Sequence, residues 1–139
     1  MLRRAVLFLV LAAAPAEAGV LTCRFTEPFF DVVFDSAIGS VVRISADDSD
    51  PVTGKPIPKA IAGHARLVLA DGWEGSPKAL LQDGDEILLE LSMEQGSDGM
   101  SDIVFPMSGR FGDHVGGCET DKVPAFDLYE LYGDLGIPF

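Results

Sequence analysis

The chain has 139 residues, enough for one domain with a buried core. Its 22 acidic and 10 basic side chains give a formal charge of −12 at pH 7. Such a surface repels phosphate backbones and anionic membranes, which excludes nucleic acid as a partner.

Residues 1–18 read as a cleaved signal peptide. Arg3 and Arg4 open it, an apolar run covers Ala5 to Ala14, and Ala16-Glu17-Ala18 is a small-x-small cleavage site, with the cut between Ala18 and Gly19. The run is too short to cross a bilayer, which takes about 20 residues, so no stable membrane anchor is expected after cleavage. Loss of two Arg and one Glu takes the charge from −12 to −13 for residues 19–139. The expected location is periplasmic or secreted. That compartment is oxidising, and the chain has two cysteines, so one disulfide between Cys23 and Cys118 is the natural reading. It would tie the first strand to a late one. Paired metal or redox thiols are the alternative, with no CxxC to support them.

The rest reads as strands and turns. Residues 29–35 alternate, with Phe30, Val32 and Phe34 on one side and Asp31, Val33 and Asp35 on the other. Residues 40–45 follow across Ala37-Ile38-Gly39. Residues 46–62 carry three Pro and three Asp and read as a long surface loop. Residues 65–72 form another strand ending at Asp-Gly. Residues 78–93 read as two strands around Asp83-Gly84, a favoured hairpin turn, with Ile87, Leu89, Leu91 and Met93 on one face. Residues 104–119 are a further pair around Gly112-Asp113. About seven strands joined by short turns suggest an all-β domain over 19–139, a small antiparallel barrel or sandwich. The expected core includes Phe30, Val32, Phe34, Leu67, Leu69, Ile87, Leu89, Leu91 and Phe105. Phe126, Tyr129, Leu131 and Tyr132 would share one face of a short helix between Pro124 and Gly133, in a helical tail of about 123–135.

Reactive constellations are sparse. Ser97 and Ser101 have no GxSxG elbow, and neither His64 nor His114 comes with a recognisable partner, so no catalytic residue is assigned and a hydrolase has no motif behind it. Asp47, Asp48 and Asp50 cluster, as do Asp83, Asp85 and Glu86. Pro51 and Thr53 break the calcium-loop pattern, however, and the ligand clusters zinc needs are missing, so no metal or other cofactor is expected. Glu27 precedes Pro28, which favours an extended residue. Flanked by Phe25, Phe29 and Phe30, it suggests a partly buried carboxylate anchored to backbone N–H groups or to Arg110. Trp73 sits just after an Asp-Gly turn and reads as strand-end packing.

Two stretches, TEPFF (26–30) and SDGMSD (97–102), with Phe105-Pro106 and Gly117-Cys118 downstream, resemble a family of small uncharacterised bacterial envelope proteins. That family carries Glu-Pro-Phe-Trp near its start, then Cys-Ser-Asp-Gly-Met-Ser-Asp, Tyr-Pro and Gly-Cys. The resemblance covers about residues 23–119. It departs at Phe30, where Trp is usual, at Phe105, where Tyr is usual, and at Gly96, where Cys is usual. In that family the Cys at the position of Gly96 is expected to pair with the Gly-Cys cysteine, so here the resemblance implies a bridge moved to Cys23. The layout is also similar to small exported barrels of the membrane-bound lysozyme-inhibitor type.

The stretch 97–102 reads as a self-bonded loop. Asp98-Gly99 is a tight-turn pair, Gly99 supplies a positive φ, and the Ser and Asp side chains bond back to the backbone. Met100 either plugs the barrel end or projects outward. Ser97, Asp98, Gly99, Met100, Ser101 and Asp102 form the candidate partner-binding site, and Glu27, Pro28, Phe29 and Phe30 a structural motif. The functional expectation is an exported, non-enzymatic, inhibitor-like module engaging a basic protein such as a lysozyme. The alternative is a small apolar-ligand carrier with its cargo inside the barrel.

Overall fold

The computed structural model describes residues 19–70 and 78–127. Eleven strands occur among them: β1 (Val20–Phe25), β2 (Phe30–Asp35), β3 (Ser40–Ser45), β4 (Lys59–Ala62), β5 (Ala65–Ala70), β6 (Lys78–Asp83), β7 (Glu86–Ser92), β8 (Ile103–Val104), β9 (Met107–Phe111), β10 (His114–Thr120) and β11 (Phe126–Asp127). Nine form one antiparallel sheet in the order β4-β3-β2-β1-β10-β9-β7-β6-β5, and β8 pairs with β11 in a separate ribbon. The sheet curls into a nearly closed barrel. Its edges, β4 and β5, are consecutive in the chain, and the Ala65 N–H at the start of β5 bonds the Gly39 carbonyl in the β2–β3 turn at 2.9 Å.

The all-β expectation holds, with nine strands in the main sheet and not seven. β4 arises inside the stretch expected to be all loop. That stretch opens with a 3-10 turn, Ala46–Asp48, and a lone bridge between Ser49 and Pro56. The Phe126 region is also corrected. Phe126 and Asp127 pair as a strand with Val104 and Ile103, where a helical tail was expected. Tyr129, Leu131, Tyr132 and Gly133, like residues 1–18 and Trp73, lie outside the described residues.

Alternation decides what enters the barrel. Leu21, Cys23 and Phe25 of β1 face inward with Phe30, Val32 and Phe34 of β2, and Val41, Leu81, Leu89, Leu91, Met107 and Cys118 join them. Three expected core residues stay out. Leu67, Leu69 and Ile87 are 47%, 84% and 50% exposed. Leu67 sits opposite the buried Leu81, and Leu69 opposite the buried Ala79, so both take the inner face. However, β5 is an edge strand, and among the described residues no further strand pairs beyond it. Ile87 is turned by the register shift between Leu81 and Gln82, which sets it opposite Gln82 and out of step with the buried Leu81–Leu89 pair.

Phe105 is fully buried, as expected, but on the outer face. A Cβ on Gly117 would overlap its ring. Gly117 precedes the inward Cys118, so it turns its bare face outward. A Cβ on Gly96 would likewise run into the Met107 carbonyl and approach the Gly117 and Ser108 Cα atoms. Gly96 and Phe105 exchange backbone hydrogen bonds of 2.9 and 3.1 Å. The segment between β7 and β9 therefore lies flat across the outside of β9 and β10.

Cys23 and Cys118 are directly opposite on β1 and β10, with Cα atoms 4.0 Å apart, and they form the disulfide. The bridge spans a sequence separation of 95. Both residues are fully buried. Gly109 makes room for it, since a Cβ there would strike the Cys118 sulfur.

Reduction, or the Cys23→Ser/Cys118→Ser pair, is expected to lower stability by about 4–5 kcal/mol on the chain-entropy account of a bridge this long. Urea unfolding with and without reductant measures it. Gly117→Ala is expected to lose about 1–3 kcal/mol by forcing Phe105 off the sheet, with faster hydrogen exchange concentrated at Gly96 and Phe105.

Candidate functional site

The two motifs singled out in the sequence meet at one end of the barrel. Residues 26–29 form the β1–β2 turn. In it Glu27 has φ +58° and the Glu27–Pro28 bond is cis. The Thr26 hydroxyl donates to the Asp98 carbonyl at 2.7 Å, across 72 residues of sequence. Gly99 has φ +84°, and a Cβ on it would lie 3.3 Å from the Thr26 hydroxyl oxygen. Glycine is required there both for its conformation and for its closeness to the turn.

The loop is tied by its own side chains. One Asp98 carboxylate oxygen accepts the Met100 and Ser101 N–H groups at 3.0 and 2.8 Å, and the other accepts the Ser101 hydroxyl at 2.6 Å. The Ser97 hydroxyl accepts the Gly99 N–H at 3.0 Å, and the Ser101 hydroxyl accepts the Ile103 N–H at 3.3 Å. This is the local side-chain-to-backbone bonding that Ser and Asp favour in turns. Met100 projects outward and is 67% exposed, so it does not plug the barrel. Phe29 on the neighbouring turn is 59% exposed. Asp102 and Pro28 are exposed as well.

Between the turn and the loop runs an open groove of about 350 Å³, lined in part by Arg24, Phe29, Asp31, Ile44, Pro56 and Asp98. Arg24 and Asp31 are cross-strand partners on the outer face. Partial burial pushes Asp31 above the usual carboxylate range, against the attraction of Arg24 and with added repulsion from Glu119. For Asp98, slight desolvation pushes upward. The Ser101 hydroxyl, the Ser101 and Met100 N–H groups and the Arg24 charge outweigh it and hold the carboxyl below its ordinary value.

The remaining candidates disperse. Glu27 is exposed at the hairpin tip and, among the described residues, bonds neither backbone nor Arg110. Of the aromatic residues that flank it in sequence, Phe25 and Phe30 are buried and stacked on each other, and Phe29 is exposed on the same turn. His64 is exposed in the β4–β5 turn, while His114 packs nearly perpendicular to the Phe30 ring, with centroids 5.2 Å apart. Neither histidine bonds Ser97 or Ser101. Asp48 pairs with Lys59 at 2.7 Å, and Asp50 caps the Val52 and Thr53 N–H groups. Among the described residues no group of three or more His, Cys, Asp or Glu could hold a metal ion. Sequence reasoning missed Thr26, the residue that joins the two motifs. It lies inside TEPFF, but a hydroxyl gives no sign of a partner so far along the chain.

Comparison with family models, with curated proteins and with solved structures yields no significant match.

Because the folded-state value of Asp98 is depressed, its contribution to the loop is present above the unfolded carboxylate value and is lost as pH falls through the folded one. Protection of the Met100 and Ser101 amides, measured as exchange relative to the free-peptide rate at each pH, is expected to fall on acidification, and Asp98→Asn to remove that dependence. Asp31 has the opposite sign. Its folded value is raised, so the ionised group costs stability at neutral pH and stops doing so once pH falls below the unfolded value. Asp31→Asn is expected to raise the denaturation midpoint at neutral pH and to leave it unchanged in acid.

Proposed function

We propose that this protein is an exported, non-enzymatic binding module that offers the braced edge made by SDGMSD and TEPFF to a basic protein partner. The observation that carries the reading is the bond from Thr26 to the Asp98 carbonyl, with the Asp98 carboxylate turned inward on its own loop. Two large apolar side chains, Phe29 and Met100, are thereby held in solvent on a pre-ordered frame. Ordering a loop before contact removes a cost otherwise met on binding, and exposed aromatic and Met side chains are suited to anchoring an interface.

Charge selects the partner. The formal charge of −12 steers a cationic protein toward the molecule and repels an anionic one. Asp98 itself is spent on the loop, so Glu27 and Asp102 are the acids at this edge free to meet a cation. The Cys23–Cys118 disulfide is compatible with an oxidising, exported compartment, and among the described residues no helix is long and apolar enough to cross a membrane. A lysozyme of the basic type fits these requirements, in keeping with the resemblance to inhibitor-type envelope barrels. The serine hydroxyls are engaged within the loop, which favours binding over hydrolysis. Carriage of an apolar ligand finds less support, because the disulfide, Phe25, Leu81 and Leu89 fill the interior.

Inhibition of a basic lysozyme by the purified protein, compared at low salt and at about 0.15 M salt where charges are screened beyond roughly 8 Å, tests the reading. Inhibition is expected to survive salt. The Phe29→Ala/Met100→Ala pair is expected to weaken it at least tenfold, while Glu27→Gln slows association with a smaller effect on dissociation. Inhibition that vanishes at the higher salt, or that the double variant leaves intact, overturns it.

A further inference from the structure

We propose that Arg43, inside the barrel at the Phe30 end, is an anion site that receives a carboxylate at the tip of its guanidinium. The proposal is independent of the partner-binding edge. Arg43 lies on β3 directly opposite Val32, which is buried, so it takes the inner face. Its guanidinium carbon sits 4.2 Å from the centre of the Phe30 ring. Phe25 stacks on Phe30 with centroids 4.8 Å apart and planes 17° apart, so Phe25 covers one face of that ring and Arg43 the other. The ring fixes the cation by a cation–π contact.

What the cation lacks is a counter-charge. The chain holds 22 acidic residues. Yet among the described residues none forms an ion pair with Arg43. Lys59, its cross-strand neighbour on β4, is paired instead to Asp48. The Arg43 Nε is buried and has no hydrogen-bond acceptor. A sealed, unpaired donor is unfavourable. The two Nη nitrogens are neither buried nor bonded, so they open to solvent. The guanidinium is thus clamped flat, closed at Nε and presented end-on. His114 packs nearly perpendicular to the same ring, and Phe111 packs on Phe30 at 5.7 Å. A cation fixed on an aromatic wall at the end of an apolar barrel suits a carboxylate that carries a short apolar tail, the carboxylate meeting both Nη groups and the tail meeting the half-buried Phe111 and His114 rings.

The test is a titration of the purified protein with butyrate, with butyramide as its neutral counterpart, followed by the side-chain NMR signals of Arg43 and His114. The expected result is a saturable shift of the Arg43 signal with butyrate in the millimolar range and none with butyramide. Arg43→Met, which keeps much of the volume, is expected to abolish the effect, read at His114. Arg43→Lys keeps the charge but loses the fork and is expected to weaken binding at least tenfold. In the absence of ligand, Arg43→Met is expected to melt at or above the parent temperature, because it removes an unpaired buried donor. Equal shifts with butyramide, or butyrate shifts at His114 that persist in Arg43→Met, overturn the site. A melting temperature that falls sharply in Arg43→Met makes Arg43 a structural clamp on Phe30 and overturns it as well.

Discussion

Bare backbone on both faces of the β9–β10 hairpin is the constraint from which the rest of the structure follows. On the inner face Gly109 and Gly116 lie opposite each other. A side chain on the first would strike the disulfide, and one on the second would strike Arg24 and Phe25. On the outer face Gly117 receives the Phe105 ring, and Gly96 lies against the strand backbones from above. Side chains at these places would either lift the covering segment or push the disulfide out of the barrel. With none there, the segment carrying SDGMSD is drawn along the wall until its tip reaches Thr26. The outer site is therefore a consequence of how tightly the inner core is built.

Much of this was legible in the sequence, for reasons that can be named. Period-two alternation found β2 and β7, because each has one wet face and one dry face, and turn residues marked off β3 and β6. The chemistry of Asp98, Gly99 and Ser101 was readable because Asx and Ser turns are local and need no distant partner. Three things were hidden. Leu67 and Leu69 alternate like core residues, and only the strand order reveals that β5 is an edge. Phe105 is buried, but alternation cannot say on which side of the wall. Phe126 has helix-like spacing with the residues after it, yet it pairs with Val104, a long-range partner that local propensity does not register. Glu27 misled through its neighbours: Phe25 and Phe30 turn inward and stack on each other, and Phe29 points into solvent with it.

The electrostatics divide between two arginines. Arg24 lies on the outer face among Asp31, Asp98 and Glu119, and its charge favours the ionised form of the two aspartates. Arg43 lies one strand further from Arg24 than Asp31 does, but on the inner face, and has an aromatic ring where an acid would be expected. In so acidic a chain the same residue type thus meets carboxylates outside the wall and an aromatic ring within it, and the pleat alone makes the difference.

The strand order divides the sheet into two pieces that are each continuous in sequence. Residues 20–62 supply β1 to β4, and residues 65–120 supply the other five strands. Among the described residues, the only ladder within the sheet between the pieces is β1 against β10, and that ladder carries the Cys23–Cys118 bridge. The covalent link between them is the short connection at Gly63 and His64. The bridge therefore works as a rivet across a joint, and its removal turns that connection into a hinge. Two reduced molecules can then trade halves, each β1 finding the β10 of the other with the same register and the same glycine floor beneath it. While it is closed, the bridge opposes that exchange as well as unfolding.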